Sequence, residues 1–181
     1  MIEFKKIENS SDSLFSKMYE LYQSAFPAVE RRDLNSLVYV LNNDKNFEID
    51  ALMKDNDFVG FFSYWLFKQF VYIEHFVIDS KMQGQRIGTK VVEIFLSKIN
   101  LPVVLEIEIP EDTQSTRRIK FYERLGFKVF SHSYAQPYYD GSEKSQPMLL
   151  MSNKINFAEE HFDLIKDTLY KKVYRYFQKT N

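Results

Sequence analysis

The sequence predicts an α/β (α+β) chain, a mixed and mostly antiparallel sheet with helices packed against it, and three observations carry that expectation. The apolar, β-branched and aromatic run VYIEHFVI leads through the polar turn DSKMQGQRIGT into KVVEIFLSKI, where apolar residues recur at helical spacing. Three strand-like runs between residues 47 and 78 follow one another so closely that they can only be antiparallel neighbours. A helix between the fourth and fifth strands requires that pair to run parallel.

Taken in order, IEFKKIE alternates apolar and polar residues and forms the first strand. SDSLFSKMYELYQSAF opens on small capping residues, sets Leu14, Met18, Leu21 and Tyr22 on one helical face, and stops before Pro27. AVERRDLNSLVYVLNN is a second helix, with Leu34, Leu37, Val38 and Leu41 as its apolar face. FEIDALMKD, VGFFSYWLFK after a turn at Asn56-Asp57, and QFVYIEHFVI are strands two to four. PVVLEIEI, bounded by prolines, is the fifth strand. TQSTRRIKFYERLGF is an amphipathic helix with Ile119, Tyr122 and Leu125 on one face, closed by Gly126 where a left-handed residue is favoured. FKVFSHSY and MLLMSNK form a last hairpin across the connection AQPYYDGSEKSQ. AEEHFDLIKDTLYKKVYRYFQK is a tail helix with Phe162, Ile165, Leu169 and Val173 in register. The expected division is a main domain over 1–154 and a helical extension over 155–181, packed on the sheet or supporting a homodimer.

Composition excludes several classes. With 45% hydrophobic and 17% aromatic residues, 181 residues bury one sizeable core. A net charge of -1 leaves no basic excess to neutralise a nucleic-acid backbone. The absence of cysteine removes disulfides, thiolate metal sites and a catalytic thiol, and the three histidines show no ligand spacing, so no metal is expected. No apolar run reaches the ~18 residues of a membrane span and MIEFKKIENS has no signal-peptide core, so a cytoplasmic location is expected.

The chain has five glycines, and two of them, Gly84 and Gly88, lie in the turn before the third helix. Glycines there leave amide N–H groups uncovered at the positive end of a helix dipole, which forms a site for phosphate or another anion. The turn lacks G-x-G-x-x-G, and Gly88-Thr89-Lys90 is in the wrong order for a phosphate-binding P-loop.

With these elements in place, the chain resembles the GNAT superfamily of acyl-CoA-dependent N-acyltransferases. Its signature Q/R-x-x-G-x-G/A is met by Gln83-Gly84-Gln85-Arg86-Ile87-Gly88, except that Arg86 replaces the first glycine, and a second family element stands downstream as FYERLGF at 121–127. The resemblance covers Ile2 to about Lys154 and implies a splayed fourth and fifth strand, with acetyl-CoA as co-substrate. It places the coenzyme pyrophosphate on Gln83, Gly84, Gln85, Arg86, Ile87, Gly88 and Thr89, and the pantetheine arm along the main chain of Phe76, Val77 and Ile78. An amide at Phe76 or Val77 would steady the oxyanion. Tyr122 takes the position of the acid that protonates the leaving thiolate. Glu74 aligns with a glutamate that some members use as base; Glu106, Glu108 and His75 remain alternatives. His75 points opposite to Glu74 unless a bulge alters the parity.

Ser115 and Arg118 stand where the family often has asparagine and alanine; Ser115 is a candidate partner of the cofactor arm, and Arg118, with Arg117 and Arg86, of the phosphates. The acceptor side falls on Phe26 to Arg32 and Tyr134 to Tyr139, with Glu30 to attract an amine and Arg31 or Arg32 a carboxylate. The resemblance thus implies an N-acetyltransferase acting on a small-molecule or protein amine; the alternative is a GNAT-shaped module that binds coenzyme A or a protein without turnover.

Overall fold

In a computed structural model, which describes residues 1–82 and 85–174, the chain has the expected mixed α/β class and divides into two compact units, 1–101 and 102–181. No helix among the described residues is long and apolar enough to cross a membrane.

In the first unit, β1 (Ile2–Lys6), β2 (Phe47–Lys54), β3 (Asp57–Leu66) and β4 (Val71–Ile78) form an antiparallel sheet in that order. The β2–β3 turn sits one residue earlier than the sequence reading has it. Asp55 and Asn56 both have positive φ, 52° and 72°, as a two-residue hairpin turn requires, and Asp57 already pairs with Lys54. Alternate side chains of β3 serve opposite faces: the Phe61 ring meets Tyr22 of α1 (Ser13–Ala25) at 5.9 Å, and Phe62 meets Phe95 of α3 (Ile87–Lys98) at 4.5 Å. The buried stripe of α1 is Phe15, Met18 and Tyr22.

The second helix is shorter than its apolar pattern implies. Ala28–Glu30 form a separate 3-10 turn, and α2 (Leu34–Asn43) starts where the Asp33 side chain accepts the Ser36 N–H. It buries Leu37 and Val40, while Leu34 is 44% exposed. The cap wins over the hydrophobic pattern because helix amides need an acceptor at their start.

In the second unit, β5 (Val103–Glu108) and β6 (Lys128–Val129) both pair antiparallel with β8 (Ser145–Ser152), and so does β7 (Tyr134–Pro137). The single strand expected over 127–134 is therefore two short ones, and Ala135 to Pro137, read as connection, are ladder residues. Helix α4 (Thr113–Arg124) ends with Gly126 at φ 88°, the left-handed position anticipated for it.

The tail is broken where the pattern reads one helix: α5 (Ile155–Glu160), α6 (Phe162–Thr168) and a wide π turn over Leu169–Tyr174. Phe162, Ile165, Leu169 and Val173 are all buried, as their register indicates. The Tyr170 hydroxyl donates to the Ala135 carbonyl at 2.6 Å, so the tail is held to β7 within this unit.

Candidate active site

The turn before α3 is the first component. Gln83 and Gly84 lie outside the described residues; Gln85 and Arg86 are exposed, and Ile87, Gly88 and Thr89 form the first turn of α3. Helices α1, α2 and α4 are each capped by an aspartate side chain, Asp12, Asp33 and Asp112. Among the described residues no side chain caps helix α3, and amides at such a helix start are suited to an external acceptor. Its N-cap is Arg86 at φ 55°, ψ 20°, a left-handed conformation that costs a side-chain-bearing residue about 1–2 kcal/mol. The residue that replaces the family glycine thus keeps a glycine-like backbone. The Lys54 ammonium donates to Gln85 Oε1 at 2.6 Å, tying the turn to the end of β2.

The strand entering that turn is the second component. On β3, Ser63 pairs with His75 and the next residue, Tyr64, with Ile73, so Glu74 is the extra residue of a β-bulge. The bulge alters the parity: Glu74 and His75, neighbours in sequence, both turn toward the α1–α2 face. The His75 ring lies 4.8 Å from Tyr22 and 4.5 Å from Phe26, while Phe76 returns to the other face at 5.0 Å from Phe62. The Glu74 side chain is only 1% exposed although the residue as a whole is half-buried, so the surface it shows is main chain. Phe76, Val77 and Ile78 are half-buried and pair with Phe62, Phe61 and Gly60. At Gly60 a Cβ would stand 2.2 Å from the Val77 carbonyl oxygen, so this segment is held at a distance from β3 that only glycine permits.

Behind the bulge lies a buried polar cluster. Arg32 Nη1 forms an ion pair with Glu74 Oε1, both side chains 1% exposed, and the Trp65 indole N–H donates to Glu74 Oε2 at 3.1 Å. The guanidinium lies 5.6 Å from the Trp65 ring and 5.7 Å from the Phe47 ring. The Arg32 backbone N–H donates to the Tyr22 hydroxyl at 2.9 Å, and His75 Nε2 lies 2.9 Å from the Glu30 carbonyl oxygen. Burial, the largest cause, holds His75 below its ordinary pKa against the opposing pull of the Glu74 charge. Arg32, read as an acceptor-side cation, is thus a buried structural partner, because a carboxylate in an apolar layer demands a counter-charge. Sequence patterning missed Arg32, Trp65 and Tyr22 as neighbours of Glu74. The lone glutamate in an apolar strand was the signal that such a partner exists.

In the second unit, Tyr122 is half-buried on α4 between the rings of Phe121 (5.0 Å) and Phe127 (5.6 Å). Burial pushes its phenol up, with Arg118 opposing. Its carbonyl accepts the amides of Leu125 and Phe127, fixing the helix end that carries the ring. Ser115 is buried as the third residue of a capping box: its hydroxyl donates to Asp112 Oδ1 at 2.8 Å and accepts the Asp112 N–H at 3.1 Å. Arg118 is exposed and paired with Glu108. Glu106 accepts hydrogen bonds from the hydroxyls of Tyr134 and Tyr174, joining β5, β7 and the tail; burial and then the Glu106 charge hold the Tyr134 phenol well above its ordinary value.

A strand broken by a bulge thus leads, in a mixed α/β fold, into a helix with no side-chain cap among the described residues. Comparison gives the family: residues 15–127 match the acetyltransferase (GNAT) family, and the chain belongs to it. YjbC of Bacillus subtilis (strain 168), described as an acetyltransferase, is 26% identical over 162 residues, covering 87% of this chain and 81% of its own. A structure from Bacteroides thetaiotaomicron assigned to the GNAT acetyltransferases is 33% identical with a TM-score of 0.89, covering 95% of this chain and 98% of that one. Arabidopsis thaliana Naa50, solved with the bisubstrate analogue CoA-Ac-MVNAL, has the same fold at 17% identity and a TM-score of 0.60, covering 83% of this chain and 97% of its own.

Proposed function

We propose that this chain is an N-acetyltransferase that moves an acetyl group from acetyl-CoA directly to a primary amine in a ternary complex. The observation that carries the reading is the sequence of a bulge in β4, with its main chain exposed at Glu74, and the uncapped start of α3. The first offers peptide groups to a pantetheine arm and a thioester carbonyl; the second offers amides to a pyrophosphate. On this reading the cofactor runs from the main chain of Phe76, Val77 and Ile78 to the turn at 83–89. Arg118 exchanges its exposed Glu108 partner, an interaction worth less than about 1 kcal/mol, for a cofactor phosphate. Ser115 contributes through the α4 cap rather than through a free hydroxyl.

The amine nitrogen attacks the thioester carbonyl, its N–H proton passing to water, and a β4 amide at Phe76 or Val77 receives the developing oxyanion. As the C–S bond breaks, the Tyr122 hydroxyl gives its proton to the thiolate and recovers one from solvent. Among the described residues that hydroxyl has no hydrogen-bond partner, and its raised pKa keeps it protonated, as an acid must be.

Two measurements test the reading. Acetyl-CoA at 100 times its Kd stabilises a protein that binds it by about 2.7 kcal/mol, and that thermal shift is expected here. Thiol release is then followed with a lysine-bearing peptide, an amino-terminal peptide, spermidine and an aminoglycoside as acceptors. Tyr122→Phe is expected to lower turnover roughly 100-fold with acetyl-CoA affinity unchanged. An unchanged rate removes the acid assignment, and cofactor binding without thiol from any amine favours a non-catalytic module.

A further inference from the structure

From the cluster behind the bulge we infer that Glu74 is a positioning residue: with Arg32 and Trp65 it forms a clamp that sets the β4 bulge from the loop between the first two helices. The inference rests on the N-acetyltransferase reading for its consequence in catalysis, and on the geometry of the first unit alone for its existence.

Both oxygens of the Glu74 carboxylate are engaged, Oε1 by the Arg32 guanidinium and Oε2 by the Trp65 indole N–H. The side chain points into the layer between the sheet and helices α1 and α2, while the surface of the residue is its main chain. A general base must reach the amine directly or through one water. Glu74 instead reaches two buried donors, and what it presents outward is peptide.

The loop end of the clamp is equally fixed. The Arg32 backbone N–H is bound to the Tyr22 hydroxyl, Arg31 Nε donates to the Phe26 carbonyl at 3.0 Å, and the Glu30 carbonyl lies against His75 Nε2. Residues 26–32 are therefore attached at two successive residues of β4, Glu74 and His75, the pair that the bulge turns to one face. A shift of the loop must move the bulge, and with it the amides of Phe76 and Val77 that follow. Misplacement of such groups by about 1 Å can cost 100-fold in rate, so a side chain that never touches substrate still governs turnover.

The clamp has an energetic signature that separates it from a base. Removing one partner of a buried ion pair strands the other charge; removing both charges does not. Glu74→Gln is therefore expected to lower the melting temperature by about 10 °C and weaken acetyl-CoA binding by about 10-fold or more. In the double variant R32M/E74Q no charge is stranded, and the amide carbonyl introduced at position 74 still accepts the indole N–H. Melting temperature, acetyl-CoA affinity and thiol release with the panel amines are expected to return to within about 10-fold of the parent in binding and rate. If Glu74 is the base, the double variant stays at least 100-fold slow however well it folds, and the inference falls.

A second variant, Trp65→Phe, keeps both charges. It is expected to weaken acetyl-CoA binding a few-fold and to leave the acid limb of the pH–rate profile in place; a displaced limb overturns the positioning role. The melting-temperature comparison of E74Q with R32M/E74Q needs no cofactor. Failure of the parent to bind acetyl-CoA therefore removes the N-acetyltransferase reading and leaves the clamp standing, whereas a double variant no more stable than E74Q removes the clamp.

Discussion

Gly60→Ala is a one-methyl change whose effect can be worked from the structure. The new Cβ would stand 2.2 Å from the Val77 carbonyl oxygen and 3.1 Å from both Cα and Cδ1 of Ile78. Carbon and carbonyl oxygen in adjacent strands meet no closer than about 3.3 Å, so β3 and β4 must separate locally by about 1 Å. The obstacle is backbone and cannot rotate away. Overpacking of this kind costs about 1–3 kcal/mol, and weakening the ladder bonds of the adjoining Phe61–Val77 pair adds about 1 kcal/mol. A loss of about 2–4 kcal/mol lowers the melting temperature of a chain this long by roughly 10 °C. Gly141→Ala is the control, since nothing lies within 4 Å of its Cβ and only the positive φ of 75° is penalised, at about 1 kcal/mol. Chemical denaturation of both variants decides the matter. A Gly60→Ala cost no larger than that of Gly141→Ala would refute the claim that this strand pair is held at glycine distance. Because Val77 lies in the segment assigned to the cofactor, the stabilisation by acetyl-CoA should shrink in Gly60→Ala and persist in Gly141→Ala.

Arg86→Gly relieves about 1–2 kcal/mol of left-handed strain and adds about 0.5–1 kcal/mol of unfolded-state entropy, so stability should hold or rise by up to about 1.5 kcal/mol. Acetyl-CoA affinity should fall several-fold, more at low salt than at high, as expected for an exposed cation beside the pyrophosphate; a loss of stability above about 1 kcal/mol contradicts the backbone argument. His75 makes stability depend on pH. Its folded pKa lies below the 6.5 of the unfolded chain, so protons bind the unfolded state first as pH falls. Stability is full above about pH 6.5 and declines as pH drops from there toward the folded value, and His75→Phe should flatten that part of a melting-temperature profile taken from pH 5 to 8. A slope unchanged by the substitution would assign the decline to other groups.

Strands one to five, α1, α3 and α4 are legible in the sequence because one periodicity dominates each, and the turn before α3 is legible because glycine is scarce. Where sequence and structure part, a local competitor overrides the pattern. Leu34 and Leu41 carry the helical period, but the Asp33 cap fixes where α2 starts, and Leu37 and Val40 become the buried pair. The final hairpin departs from its pattern because Tyr134–Pro137 contains the turn-prone Gln136-Pro137, which an edge strand tolerates and a sequence pattern reads as loop. The tail keeps its register and loses its continuity: His161 interrupts the helix, and its ring stacks on Phe157 at 4.2 Å.

The site residues divide along the same physical line. Backbone roles follow from glycine placement and strand order, so the Gly84–Gly88 turn and the Phe76–Ile78 segment can be nominated from the sequence. Side-chain roles depend on parity, and one inserted residue inverts it. A regular strand places Glu74 and His75 on opposite faces; the bulge at Glu74 puts both against the α1–α2 layer. In that layer the carboxylate cannot stay without a counter-charge, and Arg32, which sequence reading offers to an acceptor carboxylate, is drawn inside. The inversion turns a glutamate that sequence would enlist as a base into a strut for the strand. Because Glu74 is both the bulge residue and one half of the buried pair, a single substitution there acts on the β4 main chain and on the Arg32 charge together, and only a paired change at Arg32 separates the two.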